Sequence, residues 1–166
     1  MSVAHVVGID PGIVDTGMVR IVLDNRAQEV FVEENVVKNA YENDISDAVQ
    51  WVNGSEFRYP QVFVEKYRPR QRLGYDEEML QAQNMWMKAL PRAELLSNTG
   101  ITKVVPQPMM QALGVWTFNT RTHHQDLRSA ARIALLGAIK EPVLNAVLSD
   151  AISDYLHHRP WHITWG

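Results

Sequence analysis

The 166-residue chain has no cysteine. Disulfide staples and thiolate metal sites are therefore excluded, and a reducing compartment is compatible with the composition. No apolar run approaches the ~20 residues of a membrane-spanning helix. The N-terminus also lacks the basic-then-apolar order of a signal peptide. These absences fit a cytoplasmic protein with no membrane partner, from a bacterial cell or, if encoded by a bacteriophage, in its host. There is no net positive charge: the formal value is −3 at pH 7, which argues against a general polyanion binder. No internal repeat or low-complexity segment occurs. What is present, 46% hydrophobic and 21% charged residues, is the mix of one globular domain with a sizeable core. We read residues 1–166 as a single domain with a C-terminal helix and tail from about 141.

The mean charge hides an asymmetry. Residues 29–47 hold six acids and one lysine, whereas residues 65–72 hold four bases (Lys66, Arg68, Arg70, Arg72) against Glu65. A polyanion is thus permitted on one face of a mildly acidic chain.

The stretch 6–23 organises the rest. An apolar run ends abruptly in Asp10-Pro11-Gly12, and a second begins at Gly17. Proline donates no hydrogen bond, so strand pairing stops there. This predicts strand, turn, strand, with a carboxylate on the last residue of the first strand. Residues 27–37 alternate in part and complete an antiparallel meander of three. Apolar spacing predicts a helix over 44–53, and 61–67 reads as a short strand whose apolar run gives out at Glu65. A long helical pattern covers 76–97, which Pro91 should kink or split. A last strand is predicted over 101–105 and a short helix over 109–113. Thr122-x-x-Gln125 is a capping box with Thr122 as N-cap, and Pro142 opens a final helix. Residues 157–166 read as a tail in which Trp161 and Trp165 dock. The fold class is α/β, a mixed five-stranded sheet flanked by helices, in the element order of a ribonuclease-H-like core.

Four residues carry chemistry in this reading. Asp10 and Glu65 each stand where a strand runs out, and His123 and Asp126 open a late helix at a spacing that shares one face. Three carboxylates and an imidazole offer hard oxygen ligands with one nitrogen, a set that suits Mg²⁺ or Mn²⁺. Two such ions can activate a water and stabilise the leaving oxygen of a phosphodiester.

Gly-Ile-Asp-Pro-Gly followed by Thr-Gly, then Val-Glu at a strand end, then His-x-x-Asp opening a late helix, resembles the RuvC family of Holliday junction resolvases. The resemblance runs over about residues 5–140. It implies a ribonuclease-H-like homodimer that nicks paired strands of a four-way DNA junction in recombination and repair, with Mg²⁺ or Mn²⁺ as cofactor. Carried over by position, the catalytic and metal-binding set is Asp10, Glu65, His123 and Asp126. The family's usual lysines before the last core helix are replaced here by Met109, Met110 and Gln111. DNA contacts then fall to Lys66, Arg68, Arg70, Arg72 and Arg121, with Arg128 and Arg132 flanking the metal helix. Met79, Met85, Trp86 and Met87 are candidates for the dimer interface. The competing reading is a ribonuclease-H-like nuclease of the same active site acting on RNA or on other branched DNA, such as a YqgF-like or flap/fork nuclease.

Overall fold

Side chains along a strand point alternately to its two faces, and the first strand shows what that alternation builds. In Val3–Asp10 (β1), Ala4 and Val6 join one hydrophobic cluster, Val7 and Ile9 another. These are the two sides of one sheet. The structure is a computed structural model and describes residues 3–38, 42–55, 57, 59–120 and 122–166. β1 pairs antiparallel with Asp15–Asp24 (β2), which pairs antiparallel with Glu29–Lys38 (β3). Glu42–Asn53 (α1) leads to Gln61–Glu65 (β4), parallel to β1. Tyr75–Ala89 (α2) leads to Glu94–Leu96 (β5), parallel to β4. Two short helices follow, Ile101–Val104 (α3) and Gln107–Ala112 (α4), then the long pair His124–Lys140 (α5) and Pro142–Leu156 (α6). His162–Trp165 (β6) closes the chain, parallel to β3. The sheet order is β5-β4-β1-β2-β3-β6.

α1 and α2 supply the core of one face; α5 and α6 supply the other. α5 lies very close to the sheet. A Cβ on Gly8 would stand 1.8 Å from the Ala130 carbonyl oxygen, and one on Gly17 would stand 2.8 Å from that of Asp126. Only glycine permits this approach of helix to strand. Leu127, Ile133 and Leu135 of α5 are wholly buried, and truncating any one to alanine should cost about 2–5 kcal/mol.

Several local expectations are corrected. The helix expected over 76–97 ends at Ala89. Leu90, before Pro91, has φ −125° and ψ 77°, the extended bias that a following proline imposes. The chain then forms β5, so the fifth strand is 94–96 and not 101–105. Gly100, at φ 68°, turns the chain into α3 instead. The presumed tail supplies a sixth strand, anchored by buried Trp161, whose Nε1 donates to Asp154 Oδ2 at 2.8 Å. Trp86 is not an interface residue: it is fully buried and its Nε1 donates to Thr16 Oγ1 at 3.1 Å. Met85 and Met87 pack against the same core cluster.

Candidate active site

Asp10 is the last residue of β1, two beyond Gly8, and so faces α5. Parallel pairing sets Ile9 beside Val64, which brings the next residues, Asp10 and Glu65, together at the carboxyl ends of neighbouring strands. Gly17, the partner of Asp10 across β1 and β2, is the position over which the backbone of Asp126 passes. The Asp10 and Glu65 carboxylates thus pair, and Asp126 comes near enough to act on Asp10 through its charge. Burial, then hydrogen bonding to Glu65, then the charges of Glu65 and Asp126 push the Asp10 carboxyl up to about 10. Among the described residues no lysine or arginine forms an ion pair with Asp10, Glu65 or Asp126.

The turn between β1 and β2 is pinned from the other face. The Gly12 N–H donates to Thr16 Oγ1 at 3.3 Å, the same hydroxyl that receives Trp86. Glu65 Oε1 accepts from Asn98 Nδ2 at 2.5 Å, which orients that carboxylate. The sequence offered no signal for Asn98 beyond a polar residue after a short strand.

His123 departs from expectation. It is the N-cap of α5, in left-handed backbone at φ 65°, and Thr122 does not cap the helix. Histidine is among the few residues enriched in that conformation. The ring still meets its partners: Nδ1 stands 3.4 Å from Asp126 Oδ2 and 3.8 Å from Asp15 Oδ2. Asp15 was missed in the sequence because the second apolar run begins only at Gly17; Asp15 is the first residue of β2 and shares the parity of Gly17. His124 points elsewhere, its Nε2 bonded to the Thr120 carbonyl oxygen and its ring edge-on to Phe118. Glu34 of β3 lies by the same loop, near the Asn119 and Thr120 backbone, and burial raises its carboxyl above the ordinary value. The described ligand candidates therefore form two pairs, Asp10 with Glu65 and His123 with Asp126. They do not close into a finished shell of three or more.

An open cleft of about 310 Å³ holds the first pair. Lys66, Arg68, Arg70 and Arg72 line it together with Tyr67, Tyr75, Met79 and Asn98. Arg121 lies outside the described residues. Asp76 organises the basic rim. Its carboxylate accepts from the Tyr67 hydroxyl at 2.5 Å and from the Arg70 and Arg72 backbone N–H groups at 3.1 and 2.8 Å. These bonds, the Tyr67 hydroxyl foremost, hold its carboxyl below the ordinary value. The Tyr67 N–H donates to the buried Gln83 side chain at 2.7 Å, tying the loop to α2.

The sequence matches no protein-family model and no curated protein. Solved structures do match. A Thermus thermophilus RuvC in complex with a Holliday junction substrate aligns at TM-score 0.58 and 16% identity, over 88% of this chain and 94% of that one. A second Thermus thermophilus RuvC structure aligns at TM-score 0.50 and 17% identity, over 89% and 95%. The chain is RuvC-like in fold. The expected ribonuclease-H-like class stands, with six strands in place of five.

The donor chemistry fits a divalent cation. The carboxylates are hard oxygens, their charge is unrelieved by any described cationic side chain, and the burial of Asp10 makes that charge costly.

Proposed function

We propose that this chain is a structure-selective DNA endonuclease that resolves four-way junctions by paired phosphodiester hydrolysis, acting as a homodimer. The observation that carries the reading is the carboxylate pair Asp10–Glu65, with Asp126 beside it, set in a cleft rimmed by four basic residues. The RuvC-like fold agrees with it, and one neighbour of that fold was solved on a Holliday junction.

Asp10, Glu65, Asp126 and His123 would hold Mg²⁺ or Mn²⁺, which when bound supply the charge that activates water and stabilises a leaving oxygen. The rest is work for the chain itself. β1 and β4 fix Asp10 and Glu65 through the sheet, and Asn98 sets the Glu65 rotamer. Asp126 orients the His123 ring at its Nδ1, with the Asp15 carboxylate nearby. Lys66, Arg68, Arg70 and Arg72 engage phosphates on either side of the scissile bond, which positions the strand without reading bases. A two-fold junction calls for two such sites related by a two-fold axis.

The test is cleavage of labelled four-way, three-way and linear DNA and of structured RNA, in Mg²⁺ and in Mn²⁺. Symmetric paired nicks in the four-way junction are expected, with linear DNA resistant. Preferential cutting of RNA or of a flap would replace this substrate with the competing one.

A further inference from the structure

The outer side of α5 carries a built feature that the cleft does not use. Arg128 and Arg132 lie four residues apart, on one edge of the helix. The Arg128 guanidinium stands 3.8 Å over the Trp116 ring, and that of Arg132 stands 5.6 Å from the same ring centre. Each is fixed through its Nε: Arg128 donates to the Trp116 carbonyl at 2.7 Å, Arg132 to the Val105 carbonyl at 3.2 Å. Among the described residues neither arginine is in an ion pair. Two like charges are therefore gathered on one indole in a chain of net charge −3. The ring's negative face relieves part of their repulsion, and no described acid relieves the rest.

We infer that the Trp116–Arg128–Arg132 stack is a second phosphate station, binding the phosphodiester backbone of the same nucleic acid that enters the cleft. The inference rests on the proposed function and deepens it. A guanidinium fork matches phosphate geometry, and forks already fixed by stacking and an Nε bond lose little freedom on binding. Position narrows the ligand. Arg128 is two residues beyond Asp126, so it stands roughly 200° around the helix and about 3 Å along it. One face of α5 carries the carboxylate and the opposite side carries the station. A mononucleotide cannot reach both, whereas a branched or duplex nucleic acid lying over the start of α5 can.

The test has two arms. In the first, affinity for a labelled four-way DNA junction is followed against salt in Ca²⁺, for wild type and for Arg128→Gln/Arg132→Gln. Each phosphate contact contributes about 0.9 to the slope of log affinity on log salt, so the double variant should lose roughly 1.8 from it. In the second, wild-type protein is labelled with an arginine-specific dicarbonyl, with and without junction. Arg128 and Arg132 should be protected by DNA, and exposed Arg159 should not. An unchanged slope in a folded variant, or equal labelling of both arginines, would overturn the station while leaving a cutting enzyme intact and would assign the stack to another anion, such as an acidic protein segment. If the double variant does not fold, the labelling of wild type decides. Wild-type protein that neither binds nor cuts any nucleic acid would remove the proposed function along with it.

Discussion

Two charged groups lie on opposite faces of the same sheet, and they are built on opposite principles. On the α1 side, Arg20 is 1% exposed and each of its nitrogens has a partner. Nε donates to Glu33 Oε1 at 3.0 Å, Nη1 lies 2.7 Å from His5 Nε2, and Nη2 donates to the Trp51 carbonyl. The indole of Trp51 lies under the guanidinium at 4.4 Å. On the α5 side, Asp10, Glu65 and Asp126 bring three acids together with no described cation. The first group is closed, and its charge serves the fold. The second is open: in the metal-free chain a proton on Asp10 relieves it, and under the proposed function a divalent cation would take that place. The lack of a compensating partner, more than burial, separates the proposed functional group from the structural one.

The widest separation comes from breaking each cluster once. Asp10→Asn should lower junction cleavage by at least about a thousandfold, because the carboxylate that would hold the cation is lost, while junction binding is retained. Arg20→Ala should do the reverse. Removing one partner from a buried charged group costs about 3–5 kcal/mol, read as a lower midpoint in urea, and cleavage per folded molecule should persist. A stable Arg20→Ala protein without activity would put function on the wrong face.

Within the open cluster, His123 and His124 sharpen the contrast. His123→Ala should lose most activity and His123→Asp should recover part of it, since a carboxylate restores an oxygen ligand. His124→Ala should keep its chemistry and lose about 1 kcal/mol, the worth of a hydrogen bond, because that ring only ties down the loop at Thr120. Cleavage rates and thermal melts of the three variants check this. An inactive His124→Ala beside an active His123→Ala would reverse the assignment.

The smallest effect concerns the rim. Asp76→Asn should weaken junction affinity a few-fold without altering cation binding, since only the shape of the basic loop is disturbed. The folded Asp76 carboxyl lies below its ordinary value. Its contribution to loop order is therefore present above the ordinary carboxylate range and lost as pH falls through the folded value. Loop order, followed by amide exchange of Arg70 and Arg72, should decline on acidification in wild type and not in Asp76→Asn.

What could be read in the sequence follows from range. Asp10 and Glu65 were legible because each ends an apolar run, and a strand's alternation then assigns both to one face. The register at α5 was not. Thr122 and Gln125 satisfy a local capping pattern, but the left-handed backbone at His123 starts the helix one residue later. β5 and β6 have three and four residues and pair only through contacts distant in sequence, so neither shows a period of its own. Trp86 was misplaced for the same reason: the hydroxyl that draws it inward is 70 residues away. Asp76 is one of three consecutive acids in the first turn of α2, and nothing local distinguishes the one that organises the loop.

Asp10 is proposed to hold a divalent cation, and thermal melting tests this most directly. With the Asp10 carboxyl raised to about 10, stability of the metal-free protein is fullest below the ordinary carboxylate range and declines as pH rises toward that value. At neutral pH, metal-free Asp10→Asn should therefore melt above metal-free wild type. Saturating Mn²⁺ should raise the wild-type melting temperature by roughly 5–10 °C, as a ligand at about a hundred times its Kd does for a domain of this size. It should leave Asp10→Asn nearly unmoved. A metal-free variant no more stable than wild type, with Mn²⁺ shifting both alike or neither, would contradict the account.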